Sequence, residues 1–276
     1  MTASSPPASL RAAPMAAEPH GAIAAEDTPD ALPPAVSVVV PMRNEEANVT
    51  FLVAAIALGC EDLPGGFETI LVDDGSTDGT ALAVEALMPD RPWLRLIRHP
   101  ESGGQSAAIH SGVRAASGAV ICTLDGDGQN PPAEIPKLVL PLLDDAGPTL
   151  GLVAGQRIGR RDTLSKRVAS RAANVLRSRL LHDGTRDTGC GLKAFRRDAF
   201  LELPYFDHMH RYLPALFRAW GWEVAHRDVT HAARHAGRSN YTNIERALVG
   251  IWDILGVMWL IRRAKRVRPV ETEPQA

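Results

Sequence analysis

The sequence predicts an α/β protein in which a mostly parallel sheet is flanked by helices. Three observations lead there. From Val36 onward, short β-branched runs alternate with longer stretches whose apolar residues recur at helical spacing, as in strands joined by crossover helices. The predicted strands of the first half run into polar, Gly-rich turns, and in an open parallel sheet that edge is where ligands bind. The chain, with 276 residues, 45% hydrophobic and 22% charged, can bury a sizeable core, which excludes wholesale disorder, collagen-like repeats and a small disulfide scaffold.

Residues 1–33 are rich in Ala, Pro and small polar residues and lack the apolar stretch of a signal peptide, so they read as a disordered tail. Val36 to Pro41 (VSVVVP) is a buried strand, followed by a helix from Glu45 to Leu58. Glu68 to Val72 is the second strand and ends in DDGSTDGT, where Asp78 can cap a helix running to Met88. Trp93 to Ile97 is a third strand, Gly104 to Ala115 a helix, and Ala119 to Leu124 (AVICTL) a fourth strand that enters DGDGQNPP.

The second half opens with a basic amphipathic segment, Arg160 to Leu181, then DTGCGLKAFRRDAF, a helix from His208 to Trp220 and a strand over Trp222 to Val229. Residues 34–240 read as one domain, 241–263 as a C-terminal helix and 264–276 as a polar tail. The net charge of -2 hides a split: residues 1–150 carry a net -13 and residues 151–276 a net +11. An anionic ligand should therefore be met mainly by the second half. Cys60, Cys122 and Cys190 are too far apart in sequence for a CxxC motif, which favours a reducing, cytosolic setting. No run of about 18 apolar residues is present; the nearest, Ala247 to Ile261, is interrupted by Asp253.

Three acidic turns carry the chemistry. Asp125-Gly126-Asp127-Gly128-Gln129 follows a strand directly and can offer carboxylate oxygens to a divalent cation that holds a diphosphate, although Asp and Gly are also the commonest turn residues. Asp73-Asp74-Gly75-Ser76 ends the second strand, where an acid can accept from a base or ribose and the next helix start can meet an anion. Pro41-Met42-Arg43-Asn44-Glu45-Glu46 follows the first strand and equally makes a good helix start.

Taken together, PMRNE, VDDGSTDGT and GGQSAAIHSGVRAASGAVICTLDGDGQNPP resemble, in order and spacing, the family 2 glycosyltransferases of GT-A fold. They are most similar to the polyprenyl-phosphate sugar synthases of the dolichol-phosphate mannosyltransferase type. The resemblance spans Val36 to Arg263. It implies a Rossmann-like sheet with a basic C-terminal elaboration, a nucleotide-diphosphate sugar donor, Mg²⁺ or Mn²⁺, and transfer with inversion.

Carried over by position, it puts Pro41, Arg43, Glu45, Asp73, Asp74, Gln105 and Asp125 at the nucleotide, and Asp125, Asp127 and Gln129 at the metal. Arg157 falls where the family has a basic residue after the fifth strand, facing the diphosphate or the acceptor. Ser170 and Arg171, in SRAAN, fall on the acceptor-phosphate side. Asp127, Arg157, Ser170 and Arg171 are thus the catalytic set. Gly191-Leu192-Lys193 stands where relatives have Gly-Phe-Arg, which keeps a charge but loses the Arg fork.

A lipid monophosphate acceptor explains the charge split, because its oxygen is ionised near neutral pH and needs no general base. Lys193, Arg234 and Arg238 are the expected acceptor-phosphate cations. Ala247 to Ile261, with Trp252 and Trp259 and a basic cluster beyond, suits either a core-packing helix or one lying on an anionic leaflet. The implied setting is the cytoplasmic face of the plasma membrane, in cell-envelope or lipid A glycosylation, with a membrane-anchored partner subunit as one means of attachment and no nucleic acid. His208, His210, His226, His231 and His235 match no zinc-ligand spacing. Two alternatives stay open: transfer to a sugar hydroxyl, for which Asp187 is a candidate base, and a non-catalytic nucleotide-sugar module. Neither GxGxxG nor GxxxxGK[ST] occurs, which disfavours an NAD- or ATP-linked enzyme.

Overall fold

A computed structural model describes residues 33–144, 149–158, 177–232 and 243–264, apart from the side chains of residues 243–249 and 251. Alternating strands and helices run in the order β1 (Val36–Met42), α1 (Glu46–Cys60), β2 (Phe67–Asp74), α2 (Thr80–Glu85), β3 (Leu94–His99), α3 (Gln105–Ala115) and β4 (Val120–Thr123). There follow α4 (Ile135–Leu143), β5 (Leu150–Arg157), β6 (Lys193–Arg196), α5 (Arg197–Leu201), α6 (Leu213–Ala219), β7 (Glu223–Val229) and α7 (Asn243–Arg263). α2 is shorter than the expected Asp78-to-Met88 helix, with turns replacing its last residues ahead of Pro89. Its N-cap is Gly79, without a side-chain cap bond, so the expected cap Asp78 stands one residue earlier, where it accepts from the Thr80 N–H at 3.0 Å.

Seven strands form one sheet in the order β3-β2-β1-β4-β6-β5-β7. All neighbouring pairs are parallel except those of β6, which runs antiparallel to both β4 and β5. Because the first half of the sheet is covered on both faces, its strands are continuous β-branched runs rather than alternating ones. Along β1, Val36, Val38 and Val40 face one core with Leu52 and Ile56 of α1 and Leu138 and Leu142 of α4. Val39 faces the other, with Ile109 and Val113 of α3 and Leu216 and Phe217 of α6. Each such side chain contributes about 1.5–3 kcal/mol on burial.

β6 has charged residues at both ends and no alternation, so the sequence pattern does not announce it. Its conformation comes from pairing on both sides: Thr123 and Ala154 both stand opposite Lys193. Running antiparallel, β6 brings its first residue, and the Cys190–Leu192 turn before it, to the edge where the parallel strands end. Among the described residues, no helix is long and apolar enough to cross a membrane.

Candidate functional site

The carboxyl edge of the sheet collects the end of β1, the DDGS turn after β2, the DGDGQ turn after β4, Arg157 at the end of β5 and the turn into β6. The two acids of the DDGS turn have different surroundings. Asp74 receives four donors: Ser102 Oγ at 2.7 Å, the Gly103 and Gly104 N–H groups at 2.8 and 2.9 Å, and His99 Nδ1 at 2.7 Å. Burial works to raise its pKa, but the Ser102, His99 and backbone donors outweigh it and hold the carboxyl below its ordinary range. Asp74 therefore fixes the loop that starts α3. Asp73 accepts from the Ser76 N–H at 3.1 Å and lies 3.8 Å from Arg98.

The β1 end is stitched to the same turn. Asn44, with φ of 56°, accepts from the Thr77 N–H and donates its own N–H to Ser76 Oγ. The Glu45 N–H donates to Thr80 Oγ1, its side chain accepts from Asn48, and Arg43 is exposed beside it. Gly126 of the DGDGQ turn backs onto Pro41 and Met42, where a Cβ would come within 3.1 Å of the Pro41 carbonyl.

In the DGDGQ turn, Asp125 accepts from Gln105 Nε2 at 2.9 Å and Asn130 Nδ2 at 3.0 Å. Burial raises its pKa, and the neighbouring Asp127 charge adds to this, while Lys193, Asn130 and Gln105 work against it. Asp127 is buried at 8% exposure and accepts from the Gln129 N–H. Gln129 is half-buried, and its carbonyl accepts from the Ala232 N–H, which docks the loop after β7 on the turn. Two crowded carboxylates and an amide oxygen form an all-oxygen donor set that fits Mg²⁺ or Mn²⁺, hard cations that complete their shell with phosphate oxygens and water.

Two cations, Arg157 and Lys193, lie within electrostatic reach of this turn. Arg157 forms a two-pronged pair with Asp187, Nε to Oδ2 at 2.6 Å and Nη2 to Oδ1 at 2.8 Å. Burial acts to lower its pKa, but the Asp187 bonds and charge raise it. Lys193 is buried and its ammonium donates to the Cys190 carbonyl; burial lowers its pKa against the pull of Cys190, Asp125 and Asp187. It thus sits inside the wall rather than on an open surface. Ser170, Arg171, Arg234 and Arg238 lie outside the described residues.

The histidines are distributed rather than clustered. His210 Nδ1 meets Ser106 Oγ at 2.7 Å on the first turn of α3, His208 Nδ1 meets Asp253 of α7 at 3.1 Å, and His226 Nε2 meets Thr185 Oγ1. No three His, Cys, Asp or Glu side chains gather to bind a metal among the described residues. Sequence reasoning missed Asn130, which donates to Asp125 from within the same turn, and Ser102 and Ser106, whose partners Asp74 and His210 are distant in sequence.

The known proteins that this chain matches agree with the geometry. It is 36% identical over 235 residues to dodecaprenyl-phosphate galacturonate synthase of Rhizobium johnstonii, covering 84% of this chain and 68% of that one. It is 34% identical over 208 residues to undecaprenyl-phosphate 4-deoxy-4-formamido-L-arabinose transferase of Pectobacterium carotovorum, covering 75% of this chain but only 62% of that relative. In fold it is similar to a mannosyltransferase of Pyrobaculum calidifontis solved with GDP-Man and Mn²⁺, with a TM-score of 0.61 and 22% identity over 85% of this chain and 66% of that one. It is likewise similar to glucosyl-3-phosphoglycerate synthase of Mycobacterium tuberculosis, with a TM-score of 0.61 and 20% identity over 84% of this chain and 80% of that one. These likenesses give the GT-A fold, and the profile of glycosyl transferase family 2 matches residues 37–203, from β1 to the end of the turn after α5. With its acidic turns gathered at the carboxyl edge of that sheet, the chain belongs to glycosyl transferase family 2.

Proposed function

We propose that this chain transfers a sugar, with inversion, from a nucleotide-diphosphate sugar to the phosphate of a polyprenyl lipid. The observation that carries the choice of acceptor is the engagement of Asp187. A hydroxyl acceptor needs a carboxylate base, and Asp187, the candidate for it, has both oxygens committed to Arg157. A phosphate acceptor needs cations and alignment instead, and the edge supplies Arg157 beside the acidic turn. The names of the two curated relatives support the same acceptor class.

In this reading Asp125, Asp127 and Gln129 hold Mg²⁺ or Mn²⁺, which would neutralise charge on the departing nucleoside diphosphate. Gln105 and Asn130 orient Asp125. Pro41, Arg43, Glu45 and Asp73 line the nucleotide side, and Asp74 holds the Ser102–Gly104 loop against it. Lys193 offsets the acidic turn from within, while Arg157, with Ser170, Arg171, Arg234 and Arg238, meets the acceptor side.

α7 supports attachment to a membrane surface. Ile254, Val257, Met258 and Ile261 pack on the protein core, whereas Trp252, Leu255 and Trp259 are 75%, 52% and 60% exposed on another face, next to exposed Arg262 and Arg263. An apolar stripe ending in cations fits an anionic leaflet. We place the protein at the cytoplasmic face of the plasma membrane, in envelope or lipid A glycosylation, with a membrane-anchored partner as a further means of attachment.

The test is a transfer assay with Mg²⁺ or Mn²⁺, a panel of UDP- and GDP-sugars, and undecaprenyl phosphate or a simple sugar as acceptor, read by mass spectrometry. A sugar-phospholipid product that disappears with EDTA is expected. Product on the sugar hydroxyl alone would replace the phosphate mechanism, and nucleotide binding without turnover would make the chain a binding module.

A further inference from the structure

Segment 183–187 is pinned to the sheet at several points. Arg177 forms a buried ion pair with Asp183 and donates to the Thr185 carbonyl at 3.0 Å. Thr185 Oγ1 meets His226 of β7, and Arg186 reaches Gln156 of β5 and Asp228 of β7. A segment so held cannot follow its neighbours' side chains; it delivers Asp187 to one place. There the carboxylate grips Nε and Nη2 of Arg157 in a planar fork, and the Arg157 N–H adds a third contact at 3.3 Å.

The fork leaves the Arg157 guanidinium partly open. The two side chains remain 14% and 15% exposed, and among the described residues the Nη1 edge and one Nη2 N–H have no acceptor. Arg is rigid and planar, so fixing two donors fixes the direction of the other three. Gly189 stands against the same group: a Cβ there would lie 3.0 Å from Nη2. The guanidinium is within electrostatic range of Asp125 and Lys193, and Gly191, two residues on from Gly189, lies against the Asp125 carboxylate, so Arg157 and the acidic turn border the same 189–191 turn.

We infer that Asp187 is a positioning residue: it aims the free edge of Arg157 at a substrate phosphate above the Asp125–Asp127 turn. This rests on the functional reading above to the extent that a phosphate is the ligand. The phosphate is either the donor's diphosphate or the acceptor's monophosphate, and the experiment separates them.

The experiment compares wild type, Asp187→Asn, Asp187→Ala, Arg157→Ala and the double variant Arg157→Ala/Asp187→Ala, each first shown to be folded by circular dichroism. kcat and KM are measured for nucleotide sugar and for undecaprenyl phosphate, and the affinity for UDP and GDP with Mn²⁺ is measured by calorimetry. Asp187→Ala is expected to raise KM for one phosphate-bearing substrate about tenfold or more, as misaligned groups do. It should add little in the Arg157→Ala background, since residues acting as a unit are not additive. Asp187→Asn, whose amide oxygen still accepts from Nε, should restore most of the loss. A rise in the nucleotide KM identifies the diphosphate, and a rise in the lipid KM identifies the acceptor.

The inference is overturned if Asp187→Asn abolishes kcat together with the acidic limb of the pH profile, the mark of a base. It is equally overturned if Asp187→Ala acts as strongly without Arg157 as with it, or if a folded Asp187→Ala leaves both KM values and the nucleotide affinity unchanged. Should wild type make no lipid product, the acceptor reading fails by itself, and calorimetry still decides. A nucleotide affinity that falls alike in Asp187→Ala, Arg157→Ala and the double variant supports positioning on the diphosphate; an unchanged affinity in Asp187→Ala removes it.

Discussion

Gly191 lies directly against the Asp125 carboxylate, so that a methyl group at residue 191 would overlap both carboxylate oxygens. The turn into β6 thus closes the back of the acidic turn, and it can do so only without a side chain. Gly191→Ala is expected to displace Asp125 from Gln105 and Asn130 and to lower transfer by about tenfold to a hundredfold, the size of effect seen for small misplacements of aligned groups. A melting temperature close to wild type, measured alongside, would assign the loss to the site.

Asp127→Ala removes one of the crowded carboxylates proposed to bind the cation. Loss of transfer by a factor of about a hundred to a thousand is expected, comparable to removing one electrostatic stabiliser of a transition state. Calorimetry should show that Mn²⁺ no longer strengthens nucleotide binding. Full activity in this variant would remove the metal assignment.

Acid should destabilise the protein in a defined order. His210 is held well below the ordinary value of 6.5 by burial and then by Lys193, Arg211 and His208; His110 is lowered by burial and Arg114, and His226 by burial and Arg218. A folded-state pKa below the unfolded one means that the unfolded chain takes up protons first as pH falls. Stability is therefore expected to drop from about pH 6.5 downward. Asp74, whose carboxyl is held below 3.8, keeps its contribution until the pH falls lower still. Urea midpoints at about pH 7.5, 5.5 and 3 would trace both stages, and His210→Gln should shrink the first.

Trp252 and Trp259 stand on the open face of α7, away from its core contacts. Replacing both by Ala is expected to weaken binding to vesicles containing phosphatidylserine about tenfold or more, because each buries a large apolar surface at an interface. Sedimentation with anionic and with neutral vesicles gives the measurement; equal binding by variant and wild type would reject the membrane face assigned to α7.

Asp183 is fully buried and paired with Arg177. Asp183→Ala leaves that guanidinium buried without its partner, at an expected cost of about 3–5 kcal/mol. Chemical denaturation would show it, and transfer should fall with it because residue 187 loses its anchor.

Much of the first half was legible because its signals are local. β-branched runs buried on both faces have to be strands and Gly-rich acidic turns have to lie at their ends, whereas α1 is apolar nearly all round, with Phe51 and Leu58 exposed, and only the structure shows which face it buries. The positions of Asp73, Asp74, Asp125 and Asp127 at one edge follow from parallel connectivity alone. β6 was not legible, since Lys193–Arg196 is a strand only through its partners on both sides.

The sequence by itself determined the strands of the first half, the edge at which they end and the acidic turns that mark it. Tertiary structure decided what each charged group is free to do. Asp74 spends its oxygens on the Ser102–Gly104 loop and Asp187 on Arg157, Lys193 is turned inward to Cys190, and α7 divides its apolar residues between core and surface. The physical reason is that a carboxylate's or ammonium's role depends on the donors, acceptors and burial around it, and for Asp74 and Asp187 those come from segments distant in sequence whose approach no local pattern encodes.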